Sequence, residues 1–373
     1  MTDYIFILGR DYELSMLELI AYMEKNQLKF YIKSFSEQAA VISVDEAFDP
    51  KSAMASFGGV VKIGVMTKTL ENVYEGTENK ISYAISFYGK NNKVFIEEQA
   101  KKAFKKQKLK AFYKKPKREN ALMPTEVLNK SLLDEGVEIL SYNNLLAKTV
   151  AVFDPLEHER RDEEMPCKDY LKTISIRLAK ILINLSQAKR LLLDPFCGNG
   201  VILQEALLQG INVIGVDIDA KSAESANKNL EYVENKYGTK AEYTVLQGDS
   251  KQLTKFVTGP DGMATEPYLG PYLKSLPSFE EANKTMRELE GLYFKTLAEA
   301  KQVVGGKIAM IVPRFQTRQR KDVVMNFDKM IKKLEFKAWQ PMKQLPMPVM
   351  YSHGRVLREI WVLENALINP FDS

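Results

Sequence analysis

Short apolar runs separated by polar turns dominate residues 1–75 and predict strands alternating with helices. Apolar residues at every second position are typical of a strand, whereas spacings of three and four are typical of a helix. The predicted strands are Tyr4–Leu8, Lys29–Ser34, Ala39–Val44 and Val60–Met66, and the predicted helices are Leu14–Met23 and Pro50–Phe57. The order β-α-β-β-α-β predicts a ferredoxin-like domain over residues 1–75.

A second segment, residues 76–153, combines strands with a strongly basic helix. Its predicted strands are Ile81–Phe87, Val137–Leu140 and Leu145–Phe153, and its predicted helix is Lys93–Gln107. The stretch Lys101–Arg118 holds ten Lys or Arg residues, no Asp or Glu, and three aromatic residues, Phe104, Phe112 and Tyr113. Because cations bind phosphates and aromatic rings stack on unpaired bases, this stretch indicates a nucleic-acid surface. A solvated helix face is the alternative.

From residue 170 onward the pattern changes to long helices alternating with apolar strands. The highly charged stretch before it, residues 154–169, contains two prolines and indicates a linker. The predicted strands are Leu191–Leu193, Val213–Val216, Tyr243–Leu246, Gly262–Thr265 and Ile308–Val312. Such alternation is typical of an α/β domain with a mostly parallel sheet, which we predict for residues 170–373.

Composition and charge exclude several classes of protein. The 373 residues are 45% hydrophobic with a formal net charge of +5, which suits two or three globular domains. No apolar stretch is long enough to cross a membrane, and the first residues carry no cationic leader, so we expect neither a membrane partner nor a signal peptide. The only cysteines are Cys167 and Cys197, and the only histidines are His158 and His353. We therefore expect no disulfide, no metal site and a cytoplasmic location.

The segment 194–200, Asp-Pro-Phe-Cys-Gly-Asn-Gly, carries the strongest chemical signal because it joins a predicted strand to a helix. Gly198 and Gly200 allow a tight turn close to a ligand, and the helix N-terminus beyond offers N–H groups to an anion. The next two strands end near Asp217 and Asp249, where carboxylates suit a ribose and an exocyclic amine. This pattern favours S-adenosylmethionine as cofactor. The predicted cofactor-binding residues are Asp194, Phe196, Gly198, Gly200, Asp217 and Asp249.

A dinucleotide-dependent dehydrogenase is the main competing interpretation of this loop. Its G-x-G-x-x-G fingerprint is absent, because Gly200 is followed by Val201, Ile202 and Leu203. Ordinary loop residues and helix caps are a second alternative, which each carboxylate taken alone would fit. The alignment of three carboxylates with the glycine loop favours the S-adenosylmethionine site.

Glu266-Pro267-Tyr268, after the fourth strand, suits methyl transfer to an exocyclic amine. The lone pair of such a nitrogen is delocalised into its ring, so an acceptor for its N–H groups favours the pyramidal, nucleophilic form. We predict three catalytic residues: Glu266 orients the amine, Pro267 shapes the loop and Tyr268 stacks on an extruded base. The alternative is a loop turn with a buried tyrosine.

Two other sets of residues have alternative roles. C5-pyrimidine methyltransferases use a thiolate, often in a Pro-Cys pair, but Pro166-Cys167 precedes the first strand and Cys197 lies within the glycine loop. Packing is therefore the favoured role of both cysteines. Six C-terminal residues are either phosphate contacts or surface charges: Arg314, Arg318, Arg320, His353, Arg355 and Arg358.

Taken together, these residues resemble the THUMP-domain RNA methyltransferases, in particular the archaeal type that methylates N2 of guanosine 10 in tRNA. The similarity extends over nearly the whole chain and includes the segments Phe6–Arg10, Gly58–Ile63, Leu178–Leu185 and Asp194–Gly200. The resemblance implies a THUMP RNA-binding domain over residues 76–153 and a Rossmann-like class I methyltransferase domain over residues 170–373. It also implies tRNA as partner and guanine N2 as acceptor.

The catalytic motif departs from this family, in which it is usually Asp-Pro-Pro-Tyr. Here Glu266-Pro267-Tyr268-Leu269 takes that place, with a carboxylate one methylene longer and the aromatic residue one position early. Two alternatives therefore stay open: an amino methyltransferase acting on another RNA or on adenine N6, and a tRNA-binding protein with a decayed catalytic loop. A catalytic subunit that needs a small activating partner protein is a further alternative.

Overall fold

The computed structural model describes residues 1–71, 73–117, 120–168, 174–351 and 356–365. Arg118, His353 and Arg355, which the sequence singled out, lie outside the described residues. The chain divides into two compact units, Met1–Met16 with Asn26–Glu163, and Leu17–Lys25 with Glu164–Ser373. Within the described ranges, no helix is both long and apolar enough to span a membrane.

In the described part of the first unit, eight strands form one sheet. They are β1 (Thr2–Leu8), β2 (Phe30–Phe35), β3 (Ala39–Val44), β4 (Val60–Thr67), β5 (Lys80–Tyr88), β6 (Lys110–Tyr113), β7 (Val137–Tyr142) and β8 (Leu145–Val152). Their order is β2-β3-β1-β4-β8-β7-β5-β6. Strands from residues 1–75 and from residues 76–153 thus share a sheet, and the antiparallel pairing of β4 with β8 joins them.

The helices of this part of the chain include the three predicted ones and two further helices, and strand β6 is also an addition to the predicted elements. They are α1 (Tyr12–Lys25), α2 (Pro50–Ser56), α3 (Lys93–Lys106), α4 (Pro124–Asn129) and α5 (Pro155–Glu164). The predicted β-α-β-β-α-β order of residues 1–75 is present. Helix α5 lies in the stretch that was interpreted as a linker. Its prolines permit a helix, because Pro155 occupies the first helical position, where no N–H bond is lost, and Pro166 follows the last turn.

A buried ion pair links β4 to β7 inside the first unit. The Lys62 ammonium donates to Glu138 Oε1 at 2.5 Å, and both side chains are fully buried. Ser86 and Thr149 hydroxyls also donate to the Glu138 carboxylate, at 2.6 and 2.8 Å. Buried charges are tolerated when they are paired and hydrogen-bonded in this way. Lys62, which lies in the segment Gly58–Ile63 of the resemblance, is therefore an internal structural residue.

The second unit alternates strands with long helices. Its strands are β9 (Leu191–Asp194), β10 (Asn212–Asp217), β11 (Tyr243–Gln247), β12 (Gly262–Thr265), β13 (Ile308–Gln316), β14 (Asp322–Val324), β15 (Phe336–Ala338), β16 (Val349–Tyr351) and β17 (Val356–Asn365). Its helices are α6 (Ile176–Ser186), α7 (Val201–Leu208), α8 (Ala220–Tyr237), α9 (Phe279–Val303) and α10 (Phe327–Lys333), with a 3₁₀ helix at Ser250–Lys255.

The second sheet has the strand order β11-β10-β9-β12-β13-β17-β15, with β14 beside β13 and β16 beside β17. The five strands from β11 to β13 are parallel, as predicted, while β17 runs antiparallel to β13 and β15. The predicted α/β class is confirmed, with mixed sheets. The chain proceeds from β9 outward to β11 and then returns to the other side of β9 with β12. Ligands of such sheets bind at the carboxyl ends of strands where this reversal occurs.

Candidate functional site

Strands β9 and β12 bring two of the predicted motifs together at the reversal point. They are parallel neighbours, with Leu193 opposite Met263, so Asp194 and Thr265 both lie at the same edge of the sheet. The buried Thr265 hydroxyl donates to Asp194 Oδ1 at 2.7 Å. This hydrogen bond connects the glycine loop, residues 194–200, to the loop that begins at Glu266 after β12, called the Glu266 loop below. Thr265 was not singled out from the sequence, because a threonine that ends a strand gives no signal of its own.

The glycine loop turns through two left-handed residues. Gly198 has φ +52° and Gly200, the N-cap of α7, has φ +88°. A side chain at Gly200 would also place its Cβ 3.2 Å from Ala226 Cβ on α8, so α7 and α8 approach closely here. By contrast, a Cβ at Gly198 would meet nothing within 4 Å. The glycine at 198 therefore serves the backbone turn, while that at 200 also serves close packing.

Asp194 is a buried carboxyl group, with only 2% of the residue exposed. Burial, together with the nearby Asp217 and Glu266 carboxylates, raises the pKa of Asp194 to about 7, although hydrogen bonds from Thr265 and Phe196 oppose the shift. The Phe196 N–H donates to Asp194 Oδ1 at 3.1 Å, and the Phe196 side chain is half-buried. A carboxyl group in this setting gains most from a bound cation, which would offset the cost of its buried charge.

Asp217 and Asp249 each lie at the carboxyl end of a strand, as predicted, and both are half-buried. Asp217 accepts from the Gly198 N–H at 2.9 Å through one oxygen and from the Asp219 N–H at 2.9 Å through the other. Asp249 caps the 3₁₀ helix by accepting from the Lys251 N–H at 3.0 Å. Asp217 therefore fixes the glycine loop, whereas Asp249 caps the 3₁₀ helix and pairs with the Lys251 ammonium at 3.2 Å. Their roles toward a cofactor stay predictions.

Glu266 is held by an arginine from a distant strand. Arg358 Nε, on β17, donates to Glu266 Oε1 at 2.6 Å, and the two side chains are 21% and 13% exposed. A charged hydrogen bond in such a sheltered place fixes the direction of the carboxylate. The sequence offered Arg358 as a phosphate contact or a surface charge. The structure instead places it beside the predicted catalytic carboxylate.

The residues after Glu266 form a loop whose first residue is buried and whose next residue exposes an aromatic ring. Pro267 is buried, while the Tyr268 side chain is 56% exposed, so the alternative of a buried tyrosine is wrong. The hydroxyl of Tyr293, a fully buried residue of α9, donates to the Tyr268 carbonyl at 2.8 Å. Burial and the nearby Glu266 carboxylate raise the pKa of Tyr293 well above its usual value, so it stays a donor. Tyr293 thus anchors the loop, and it was missed from the sequence.

Cys197 does not have the environment of a nucleophile. Cys197 is buried, and burial raises the pKa of its thiol, an effect that the Asp194 and Asp217 carboxylates strengthen. A thiol in such a place resists ionisation. Cys167 contributes its backbone: its N–H and carbonyl bond the side chain of Asn229 at 2.9 Å each. The favoured packing role of Cys197 agrees with this burial.

Asn229, on α8, connects the backbone before the second sheet to the glycine loop. Its amide also donates to the Asn199 carbonyl at 2.8 Å, and the residue is fully buried. We expect Asn229→Ala to lower the free energy of unfolding by about 2 kcal/mol, because it leaves buried backbone groups without partners. Urea unfolding followed by circular dichroism measures this loss. An exposed asparagine of the same helix, Asn227→Ala, serves as comparison, and equal stabilities of the two variants would contradict the prediction.

The basic stretch in the first unit is partly core and partly surface. Phe104 is buried, and Tyr113 stacks on Tyr83 with ring centroids 5.1 Å apart, so these rings pack internally. Phe112 is 38% exposed, with the Lys80 and Lys110 ammonium groups 5.4 and 5.7 Å from its ring centroid. The prediction of three aromatic residues available to bases is therefore reduced to Phe112. The cations stay on the surface, including Lys101, Lys102, Lys105, Lys106 and Lys108.

Two of the other C-terminal cations make contacts within the protein. Arg314 forms an ion pair with the buried Glu359, with Nη2 2.7 Å from Oε1. Arg318 donates through Nε to the Leu276 carbonyl at 2.8 Å. Arg320 is exposed. Structural pairing thus accounts for Arg314, whereas Arg318 supports the segment after the Glu266 loop.

Two family models match this chain. One, described as a DNA methylase of the N6/N4 type, matches residues 18–228, which is more than half of the chain. The other, described as an RMKL-like methyltransferase domain, matches residues 168–338. Both matches include the glycine loop and the strand that ends at Asp217.

Curated relatives and a solved structure give further similarities. The tRNA (guanine(10)-N2)-dimethyltransferase of Methanothermobacter thermautotrophicus is 34% identical over 148 residues, or 39% of this chain and 40% of the relative. The enzyme of the same name from Pyrococcus abyssi is 33% identical over 163 residues, or 43% of this chain and 44% of the relative. The matches thus span about two fifths of the length of these relatives. The crystal structure of TrmN from Thermus thermophilus is 15% identical with a TM-score of 0.49, covering 97% of this chain and 99% of that chain. The resemblance drawn from the sequence is confirmed by the curated relatives.

Proposed function

We propose that this chain, which belongs to the N6/N4 DNA methylase family, transfers a methyl group from S-adenosylmethionine to an exocyclic amine of tRNA, namely N2 of a guanine. One observation carries the proposal. The Asp194–Thr265 hydrogen bond holds a glycine loop beside an anchored carboxylate, Glu266, at the edge of a parallel sheet. The relatives whose names specify tRNA and guanine N2 support the choice of substrate.

The residues at this edge fit S-adenosylmethionine. Gly198 leaves open space where a side chain would stand, and the buried Asp194 carboxyl group suits a positively charged ligand. Asp194, Phe196, Gly198, Gly200, Asp217 and Asp249 would hold the cofactor, with Asp217 near its ribose. The cofactor supplies an activated methyl group on a sulfonium. The protein therefore has to position the acceptor rather than activate the donor.

Glu266 orients the acceptor amine in this proposal. Arg358 bonds Oε1, and since no residue that the structure describes bonds Oε2, that oxygen can accept an N–H of the amine. Accepting that hydrogen bond turns the nitrogen lone pair out of conjugation with its ring. The Tyr293 hydroxyl bonds the Tyr268 carbonyl and so fixes the backbone of Tyr268. The Tyr268 ring is therefore held in place to stack on a purine. Pro267 restricts the backbone between Glu266 and Tyr268.

The proposed domain organisation assigns RNA binding to the first unit. We propose a ferredoxin-like domain at 1–75, a THUMP RNA-binding domain at 76–153, a linker at 154–169 and a class I methyltransferase domain at 170–373. The exposed lysines of α3 and the Phe112 ring supply cations and a stacking surface. A cytoplasmic location follows from a tRNA substrate and from the low cysteine content, and it belongs to the same proposal.

The test is a transfer reaction with isotopically labelled S-adenosylmethionine and unmodified bulk tRNA. After digestion, mass spectrometry identifies the labelled nucleosides. We expect label in N2-methylguanosine or its dimethyl form, and none when tRNA is omitted. Absence of label in guanosine derivatives, with tRNA binding intact, would overturn the proposal.

A second candidate function is methylation of adenine N6. The family model that covers most of the chain describes a DNA methylase, and the Glu-Pro-Tyr sequence departs from the tRNA-modifying family. The same reaction, offered DNA and other RNAs, separates the two candidates. Label in N6-methyladenine would favour this second function and retain the cofactor site.

A further inference from the structure

A cavity of about 550 Å³ lies directly beside the Glu266 loop, and the proposed reaction uses only Tyr268 of its lining. One wall is the segment 271–277, and the other is one face of α9, which includes Lys284 and Thr285. Phe315 lies at its buried floor. Tyr268 lines the cavity as well, so the predicted catalytic loop and the cavity are continuous.

The cavity is a built feature of the second unit. Residues 281, 284, 285 and 288 of α9 line it, and this spacing places them on one helix face. Arg318 holds the opposite wall, because its Nε donates to the Leu276 carbonyl at 2.8 Å and its Nη2 lies 3.5 Å from Glu281 Oε2. At Gly270, with φ +99°, an added Cβ would lie 2.9 Å from Thr285 Cγ2. The chain therefore needs glycine to pass this close to the cavity.

The lining has the chemistry of a nucleotide site. Tyr268 and Tyr272 line it and are 56% and 67% exposed, so two aromatic faces are available where a soluble protein usually shields them. Three cations, Lys274, Lys284 and Arg318, line the cavity with these rings, as do the carboxylates Glu281 and Glu288. Aromatic rings with cations nearby bind single-stranded nucleic acid by stacking bases and contacting phosphates. The Thr285 hydroxyl and the Glu288 carboxylate add polar groups for a base edge.

We propose that this cavity binds the nucleotide next to the methylated guanine in the RNA. The inference rests on the proposed function, because it takes the guanine to be extruded onto Tyr268. A flanking nucleotide is then tethered close to Tyr272. Stacking on Tyr272 and a phosphate contact from Lys284 hold it, and the RNA strand follows the Glu266 loop. The site would make recognition depend on the sequence or structure around the target.

The test compares steady-state methyl transfer to tRNA by Tyr272→Ala, Tyr272→Phe and Lys284→Ala with transfer by the unaltered protein. Loss of one stacked base lowers affinity about tenfold, so we expect KM for tRNA to rise about tenfold in Tyr272→Ala, with kcat and the Kd of S-adenosylmethionine retained. Tyr272→Phe should retain KM, because the ring remains. Matched controls are Phe279→Ala, an exposed ring outside the cavity lining, and Lys295→Ala, an exposed lysine of α9 outside that lining.

A second arm identifies the bound nucleotide. The methylated guanosine is first mapped in the tRNA, and synthetic substrates then carry an abasic nucleotide on its 5′ or its 3′ side. We expect one abasic substrate to raise KM for the unaltered protein about tenfold and to abolish the further effect of Tyr272→Ala. The inference would be overturned if the abasic nucleotide and Tyr272→Ala raised KM additively on both substrates, or if Tyr272→Ala and Phe279→Ala had equal KM values. Either result would leave the proposed function intact. No transfer by the unaltered protein would instead overturn the proposed function and this inference with it.

Discussion

Glu266→Gln is expected to lower kcat for methyl transfer to tRNA by about a hundredfold to a thousandfold, with the Kd of S-adenosylmethionine unchanged. The loss is of the size seen when one pre-positioned polar group is removed from an active site. Glutamine keeps the length of the side chain but replaces one acceptor oxygen by an N–H₂ donor, which opposes the donor groups of the amine. Single-turnover transfer to tRNA and equilibrium binding of the cofactor measure the two quantities separately.

Arg358 provides the control for this prediction because it contacts Glu266 at 2.6 Å. Arg358→Lys keeps the positive charge but loses the planar donor geometry, so we expect a kcat between those of the unaltered protein and Glu266→Gln. If Arg358 acts through Glu266, the double variant Glu266→Gln/Arg358→Lys should be no slower than Glu266→Gln alone. A Glu266→Gln variant with kcat within a factor of three of the unaltered protein would show that the carboxylate is only structural.

The affinity for S-adenosylmethionine is expected to fall below pH 7, by up to tenfold for each pH unit. Burial raises the pKa of Asp194 to about 7, so the carboxyl group is mostly protonated in the free protein below that value. A cation of the ligand favours the ionised form. Binding at lower pH must therefore remove the proton first, and the apparent Kd rises as pH falls. Isothermal titration calorimetry between pH 5 and 7 measures this dependence.

Asp194→Asn is the matched variant, because asparagine has nearly the same shape and no charge in this range. We expect its affinity to be weak and nearly independent of pH between 5 and 7. The upper end of the range avoids the α-amino group of the ligand, which loses its own proton at about pH 8. A pH-independent Kd of the unaltered protein would contradict the assignment of Asp194 to the cationic part of the cofactor.

The parallel strands of the second unit were predictable because each contains a short apolar run, and β9 to β12 each precede a loop with Gly or Asp. The antiparallel strands at its C-terminal end were not predicted, for two physical reasons. Strands β15 and β16 have three residues each, too few for a periodic pattern. In β17, Arg358 and Glu359 interrupt the apolar sequence, and Glu359 is buried only because Arg314 and Trp361 bond its carboxylate.

The candidate site shows the same division between local and long-range information. The glycine loop and the strand-end carboxylates are local patterns, and the structure places them at one edge of the sheet. The partner of Glu266 lies 92 residues away, and the pairing of β13 with β17 places it there. From the sequence alone, several cations in the C-terminal part were equally good candidates for the partner of Glu266. Thr265 and Tyr293 were missed because their roles depend on neighbours that only the folded chain supplies.

The pairing of β4 with β8 limits how the first unit can be divided for experiments. It covers β8 from Leu146 to Val152 with the residues Lys62 to Thr67. A fragment that begins at residue 76 would leave this edge with open N–H and C=O groups, and such edges recruit strands from other molecules. Removing β4 would also remove Lys62 and leave the buried Glu138 charge without its cationic partner. A fragment of residues 76–153 would therefore aggregate rather than bind RNA as a soluble module, and fragments for RNA-binding studies have to retain β1 to β4.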